Sequence, residues 1–197
     1  MTEQPTNGSA RLEDWTAQIA AFTFPRWQEL PEIDLYMDQV VGYLSQKLAV
    51  FYDAEDAEAK GITATMINNY VKQRVIASPV KKRYNRAAVS ALMVLFCVKQ
   101  VLPIGLCGTL ISRCLAQTQT DDPALFHDRF CHVFEEVLHH TVAEDEDLAY
   151  LAALRREDCT LTTAAVAFAN RIYAEKLLVL GAEPENNDNE KEPTSNE

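Results

Sequence analysis

The sequence predicts an all-α fold, and two observations lead to this prediction. Apolar residues recur at intervals of three and four along most of the chain, the spacing that places side chains on one face of a helix. Between these segments stand prolines, which end one helix and allow the next to begin. They are Pro31, Pro79, Pro103 and Pro123. No internal repeat is visible, and no strand longer than a short hairpin wing is expected.

The helices are expected to belong to four regions: an N-terminal helix and connector over 1–30, a helix-turn-helix region over 31–118, a C-terminal helical region over 119–181 and a disordered acidic tail over 182–197. The region 119–181 would form a helical C-terminal bundle. Leu106 and Leu177 are expected to face inward. The predicted helices cover 10–22, 35–51, 63–73, 85–102, 104–117, 123–142, 146–156 and 162–180.

Composition indicates a globular protein, because 48% of the 197 residues are hydrophobic. The most apolar segment, Val89–Val98, is too short to cross a bilayer. The N-terminus lacks the basic and apolar regions of a signal peptide, so we expect a cytoplasmic protein with no membrane segment. The five cysteines lie in apolar helical segments without a CxxC spacing, so all are expected to be reduced and buried. They are Cys97, Cys107, Cys114, Cys131 and Cys159.

The stretch Gly61–Arg86 has the features of a DNA-reading unit. Thr63 is a suitable N-cap for a short helix whose inner face carries Ile67 and Tyr70. A break at Pro79 then leads to a cationic loop. Amides on the outer helix face suit base edges, and cations in the loop suit phosphates. The residues expected to contact DNA are Thr65, Asn68, Asn69, Lys72, Lys81, Lys82 and Arg83.

Charge is distributed unevenly along the chain. The net charge of −11 disfavours nucleic acid, yet residues 61–120 contain no Asp or Glu and carry eight cations. Screening at physiological salt acts over about 8 Å, so a nearby cationic cluster affects DNA more than remote acidic segments do. The acidic residues concentrate elsewhere, in 53–58, 144–147 and the tail.

The run from Met66 to Leu92 resembles the MerR-type helix-turn-helix. In that motif a leucine, two reading residues, a buried tyrosine and an apolar pair precede a basic wing. Ile67 stands at the leucine, Asn68 and Asn69 at the readers, and Tyr70 at the buried tyrosine. Val75 and Ile76 take the apolar pair, and Tyr84 ends the wing. Arg74 departs from the pattern, because glycine usually ends this helix, and the wing is short and lacks glycine.

A closer resemblance is to the uncharacterised bacterial family called domain of unknown function 1836. The segments PRWQELPEIDLYMDQVV, ITATMINNYVK, PVKKRYNR and LFCVKQVLPI carry it, and it covers roughly Pro25–Ile111. It implies a helix-turn-helix fold without an assigned biochemical role.

Three functional classes remain as alternatives. The first is a DNA-binding transcriptional regulator that binds double-stranded DNA as a homodimer through its C-terminal half. The apolar stripe of Phe126, Phe130, Val133 and Val137 could serve as the dimer face, and the alternative is that it only packs on the helix-turn-helix region. The second is a protein-interaction or adaptor module on the same fold. The third is a small helical metal- or ligand-binding protein. For a metal, His132, Glu136, His139 and His140 share a helix but offer a single ExxH pair, so no metal or cofactor is expected. No nucleophile elbow, phosphate loop or dinucleotide fingerprint occurs, so no catalytic residue and no enzyme activity are expected.

Overall fold

The computed structural model describes residues 7–52, 61–118, 122–143 and 148–180. Within them it is mostly helical, which confirms the predicted all-α class. Short 3-10 turns cover Trp27–Glu29 and Ala49–Phe51, and two strands are β1 (Leu35–Tyr36) and β2 (Arg83–Tyr84). The α-helices are α1 (Asn7–Ala20), α2 (Met37–Lys47), α3 (Ala64–Lys72), α4 (Arg86–Val98), α5 (Ile104–Ala116), α6 (Pro123–Val142), α7 (Leu148–Glu157) and α8 (Cys159–Leu180).

The helix α4 lies at the centre of the molecule. Nine of its residues are buried, which agrees with the sequence of a helix that is apolar nearly all round. It packs against α5, α6 and α8, which follow it in the chain, and against β2, which precedes it. Burying a large aliphatic or aromatic side chain contributes about 1.5–3 kcal/mol, so α4 is the main source of stability shared between the two halves.

A chain of aromatic rings joins α6 to the rest of the core. Phe130 stacks 5.2 Å from Phe24 and 4.4 Å from Phe134, and Phe134 lies 5.6 Å from Phe168 of α8. These ring pairs have the edge-on or tilted geometries that aromatic side chains prefer. The expected dimer stripe belongs to this core: Phe126, Phe130, Val133 and Val137 are all buried within one chain. That stripe is therefore not the dimer face, because intramolecular packing already covers it.

The predicted helix starts are confirmed where a polar side chain caps the first turn. Thr63 accepts a hydrogen bond from the Met66 N–H at 3.3 Å, and Asn85 accepts one from the Ala88 N–H at 2.9 Å. Asp122 accepts from the Ala124 N–H at 2.9 Å, and Pro123 occupies the first helical position. Each cap satisfies an N–H that the helix cannot pair, so these boundaries follow from local chemistry.

The expectation of one helix over 35–51 is wrong at its beginning. Leu35 and Tyr36 form β1, which pairs antiparallel with β2 in the register Leu35 to Tyr84 and Tyr36 to Arg83. Leu35 and Tyr84 are buried in this pairing, whereas Tyr36 and Arg83 are exposed. The chain becomes helical only at Met37, because Leu35 and Tyr36 pair with residues 49 and 47 positions further along the chain.

Three side chains differ from the predicted burial. Leu106 is 53% exposed and Leu177 is 43% exposed, although both were expected to face inward. Cys159 is exposed at the first position of α8, while the other four cysteines are buried. Within the described ranges, no helix is long and apolar enough to cross a membrane. The predicted tail 182–197 and the acidic segment 53–60 lie outside the described residues.

Candidate nucleic-acid interface

The helix α3 presents a polar face to solvent. Ile67 is fully buried and Tyr70 is 9% exposed, and these two side chains hold the helix against the core. Tyr70 packs edge-on to Phe96 of α4, with ring centroids 5.7 Å apart. The predicted reading residues Thr65, Asn68, Asn69 and Lys72 are all exposed. Their side chains make no hydrogen bond or ion pair with any residue in the described ranges, so the outer face of α3 is available to a partner.

The end of α3 is a complete Schellman motif built around an arginine. The Arg74 N–H donates to the Val71 carbonyl at 3.0 Å, and the Val75 N–H donates to the Tyr70 carbonyl at 3.0 Å. Arg74 has a φ of 58°, the left-handed backbone that this motif demands and that glycine adopts without cost. The position therefore has the conformation that a glycine normally supplies, together with a cationic side chain.

A two-residue hairpin turn forms the wing, which we define as residues 80–84. Val80 and Arg83 exchange backbone hydrogen bonds of 3.0 Å and 2.9 Å. Lys81 and Lys82 occupy the two central positions with φ of 50° and 64°. Two successive positive φ values characterise a type I′ turn, in which Asn and Gly are the usual residues. The predicted short wing is therefore a tight hairpin with two exposed lysines at its tip.

Arg83 is held in place by a tyrosine that sequence reasoning missed. Its guanidinium lies over the Tyr36 ring, 4.7 Å from the centroid, and donates to the Tyr36 hydroxyl at 2.8 Å. Tyr36 is 48% exposed, so this pair lies at the surface beside the wing. The sequence carries no signal for this contact, because it depends on the antiparallel register of two very short strands, β1 and β2, which places the two residues opposite each other.

The same parts of the molecule support both α3 and the wing. The helix α2 packs against α3 and against β2, and α4 packs against β2. On the other side, α5 approaches the turn after α3: a Cβ added at Gly108 would lie 3.6 Å from the Val75 side chain. Packed helices therefore support both α3 and the wing, which gives the two elements a rigid base.

The cations of the acid-free stretch fall into two groups. Arg86 is used within the fold: it pairs with Glu32 at 3.6 Å and its guanidinium lies 5.6 Å from the Trp27 ring centroid. Lys99 is half-buried, and this burial lowers the pKa of its ammonium group. In contrast, Lys72, Arg74, Lys81, Lys82 and Arg113 are exposed and form no ion pair with a residue that the structure describes. All but Arg113 of this second group lie on α3, its end or the wing.

The histidines of α6 contact different residues and do not converge on one point. His139 Nε2 lies 2.9 Å from the Phe22 carbonyl oxygen, and His140 stacks on Tyr150 with centroids 4.6 Å apart. Glu136 accepts a hydrogen bond from the Tyr150 hydroxyl and lies 3.9 Å from His132 Nδ1. Among the described residues, no three His, Cys, Asp or Glu side chains form a group that would hold a metal ion.

A family model matches residues 25–147, which is more than half of the chain; its description is "Domain of unknown function (DUF1836)". The chain belongs to the DUF1836 family. No curated protein and no solved structure matches the chain. The predicted resemblance to this family is therefore confirmed, while the helix-turn-helix and its MerR-type character stay predictions. The match extends through α6, beyond the region over which the sequence resemblance was noticed.

The DUF1836 match begins within a connector that is hydrogen-bonded to α6, and it covers both. Buried Glu135 accepts from the Phe24 N–H at 2.6 Å and from Arg26 Nη1 at 2.9 Å. The Trp27 N–H donates to Asp128 at 2.7 Å. His127, fully buried, lies 2.8 Å from the Pro25 carbonyl oxygen, and desolvation lowers its pKa. Sequence reasoning missed Glu135 and His127, because helical periodicity does not reveal polar partners 100 residues away.

Proposed function

We propose that this DUF1836 protein binds double-stranded DNA through α3 and the wing, and that it acts as a transcriptional regulator with a MerR-like helix-turn-helix. The observation that carries the proposal is the backbone of three residues. Arg74, Lys81 and Lys82 are the non-glycine residues with positive φ in the described part of the chain, and all three are exposed cations. They flank the reading helix and form the tip of the wing.

Strained cations indicate a functional use because the sequence gives up stability to place them. A non-glycine residue in the left-handed region costs about 1–2 kcal/mol, a penalty that glycine avoids. An arginine or lysine there gains nothing within the fold, since none of the three pairs with a described residue. Residues held in such conformations cluster at binding and catalytic sites. Phosphate is the partner that three projecting cations suit best.

The exposed face of α3 also supports the proposal, because its side chains suit contact with bases. Asn68 and Asn69 are exposed neighbours on one helix, and an Asn amide can bridge the N6 and N7 atoms of adenine in the major groove. Tyr36 holds the Arg83 guanidinium in one orientation, which suits contact with a phosphate next to the groove. Under this proposal the asparagines select bases, and the wing cations with Lys72 fix the position on the backbone.

The alternative is a protein-interaction or adaptor module, and a specific observation favours it. Ile33 is 71% exposed and Val80 is 70% exposed, and Tyr36 is exposed as well. Val80 precedes the wing tip and Tyr36 pairs with the residue that follows it. Apolar side chains at such positions suit the surface of another protein, and the net charge of −11 opposes nonspecific attraction to DNA.

The wing tip allows an experiment that separates these two functions. The double variant Lys81→Asn with Lys82→Gly supplies the residues that a type I′ turn prefers and removes both cations. We expect it to be more stable by about 1–2 kcal/mol in urea unfolding. We also expect the slope of log affinity against log salt on a selected DNA site to fall in magnitude by up to about 1.8, at about 0.9 for each lost phosphate contact.

The matched control is Arg155→Ala with Arg156→Ala, which removes two exposed cations from α7. It changes the net charge equally, so its salt slope should stay close to that of the parent protein. The DNA site comes from selection of bound sequences from a random pool. Failure of the selection to enrich any sequence, or equal slopes for the wing variant and the parent, would refute DNA binding and favour the adaptor function.

A further inference from the structure

A groove on the side of the molecule formed by α5 and α8 has the character of a small-molecule site. Its main cavity has a volume of about 340 Å³. A second cavity of about 180 Å³ adjoins it, and Leu102, Leu110 and Thr160 line both. Most of the side chains that line the main cavity are apolar, and they come from the turn after α4, from α5 and from α8. They include Val101, Ala164 and Ala167. Its size falls within the range of ligand sites in proteins.

The polar groups of the groove are few and lie to one side. Thr160 and Thr163 of α8 line the main cavity, and their hydroxyls make no hydrogen bond with a described residue. The smaller cavity ends at Thr109 and Arg113, which are one turn apart on α5. Arg113 is the one charged residue among the lining side chains, and no Asp or Glu lines either cavity. The groove therefore combines an apolar trough with an unpaired cation at its mouth.

We propose that the groove binds a fatty-acid anion, with its acyl chain along Leu102, Leu110 and Ala164 and its carboxylate at Arg113. Burial of the chain supplies the affinity, because removing its methylene groups from water is favourable. The guanidinium supplies the choice of an anionic head group, because carboxylates pair with its N–H donors. Leu106, 53% exposed on the same face of α5, covers the first part of the chain. The site does not depend on DNA binding.

The test uses decanoate as the probe and the full chain as the protein. We expect saturable binding of one decanoate per chain by calorimetry, with NMR shifts concentrated on the residues that line the groove. Decyltrimethylammonium has the same chain and a cationic head group, so it should bind at least fivefold more weakly. Ala167 is exposed at the rim, so Ala167→Phe blocks the groove without disturbing the core; it should weaken decanoate binding at least tenfold.

Arg113→Gln tests the head group separately. An exposed ion pair makes a modest contribution, so this variant should bind decanoate about two- to fivefold more weakly. Lys82→Gln, which removes an exposed cation from the wing, is the matched control and should leave decanoate binding unchanged. The proposal is overturned by an absence of saturable binding, by unchanged binding in Ala167→Phe or Arg113→Gln, or by equal affinity for the cationic probe. Each measurement is made without DNA, so its result is independent of the proposed DNA binding.

Discussion

Single residues determine how α3 ends and how the wing begins. Arg74, Lys81 and Lys82 adopt the conformation of glycine, and each can be tested apart from its neighbours because the backbone hydrogen bonds around it are defined. Arg74 is the clearest case. The Schellman motif around Arg74 is formed by backbone groups alone, so a change of the Arg74 side chain leaves its hydrogen bonds intact.

We predict that Arg74→Gly stabilises the protein. Glycine adopts a φ of 58° without the clash that an L side chain suffers, so the free energy of unfolding should rise by about 1 kcal/mol. Urea unfolding followed by circular dichroism measures the change. Arg74→Ala retains the strain and removes only the charge, so it should stay close to the parent. A loss of stability in Arg74→Gly would show that the arginine side chain stabilises the fold by a contact of its own.

At the residue scale, the sequence predicted what local chemistry controls. Thr63, Asn85 and Asp122 cap helices because an oxygen near the first turn pairs with a backbone N–H, whatever the rest of the fold does. The exposure of the seven proposed DNA-contacting residues also follows from their place on α3 and the wing. In contrast, Leu106 fits the periodicity of an inward-facing residue, yet the neighbouring helices leave the groove beside it open.

At the scale of elements, the connector Phe24–Trp27 shows how a segment without regular structure becomes fixed. Glu135 of α6 accepts hydrogen bonds from the Phe24 N–H and from the two terminal guanidinium nitrogens of Arg26. The Glu135 side chain is buried, whereas the Arg26 side chain is 41% exposed. A buried carboxylate stays charged only when such donors surround it, so the connector and α6 stabilise each other.

We predict that Glu135→Gln destabilises the protein by about 1–2 kcal/mol. The neutral amide weakens the charged hydrogen bonds and turns an N–H toward the Arg26 donors; exposure of Arg26 keeps the loss moderate. Urea unfolding measures the change. Glu175→Gln makes the same replacement in an exposed pair with Arg171 on α8 and should cost less than about 0.5 kcal/mol. Equal small losses in the two variants would mean that the connector contributes little to stability.

The element that the sequence could not predict is the pairing of β1 with β2. A two-residue strand is too short to show an alternating pattern, and its partner lies far along the chain. Helical periodicity alone therefore predicted one helix over 35–51, with its start at Leu35. The structure instead assigns Leu35 and Tyr36 to the base of the wing, which fixes the orientation of Arg83.

At the scale of the whole molecule, the burial of the α6 stripe changes where self-association can occur. The predicted homodimer stays a prediction, but Phe126, Phe130, Val133 and Val137 do not form its interface. An exposed apolar run remains near the end of α8, where Leu177, Leu178 and Val179 are 43%, 77% and 62% exposed. Sedimentation of the full chain measures the oligomeric state, and polar substitutions in this run would show whether it is involved.

The predicted boundary between the regions 31–118 and 119–181 can be tested by shortening the chain. The helices α6 and α8 cover α4, and Phe24 and Phe51 of the N-terminal part pack on Phe130 and Phe168. We therefore expect a fragment of residues 1–118 to lose its cooperative thermal transition, because the apolar surface of α4 that α6 and α8 cover becomes exposed to water.

A fragment of residues 1–180 keeps every described helix and should melt close to the full chain, which makes it the control for shortening as such. Circular dichroism melts and the dispersion of NMR signals distinguish the outcomes. If residues 1–118 melt cooperatively with dispersed signals, the helix-turn-helix region is an independent domain and the C-terminal helices are an addition to it. If they do not, α3 and the wing depend on α6 and α8 for their support. A ligand bound between α5 and α8 would then act on the same folded unit that presents α3.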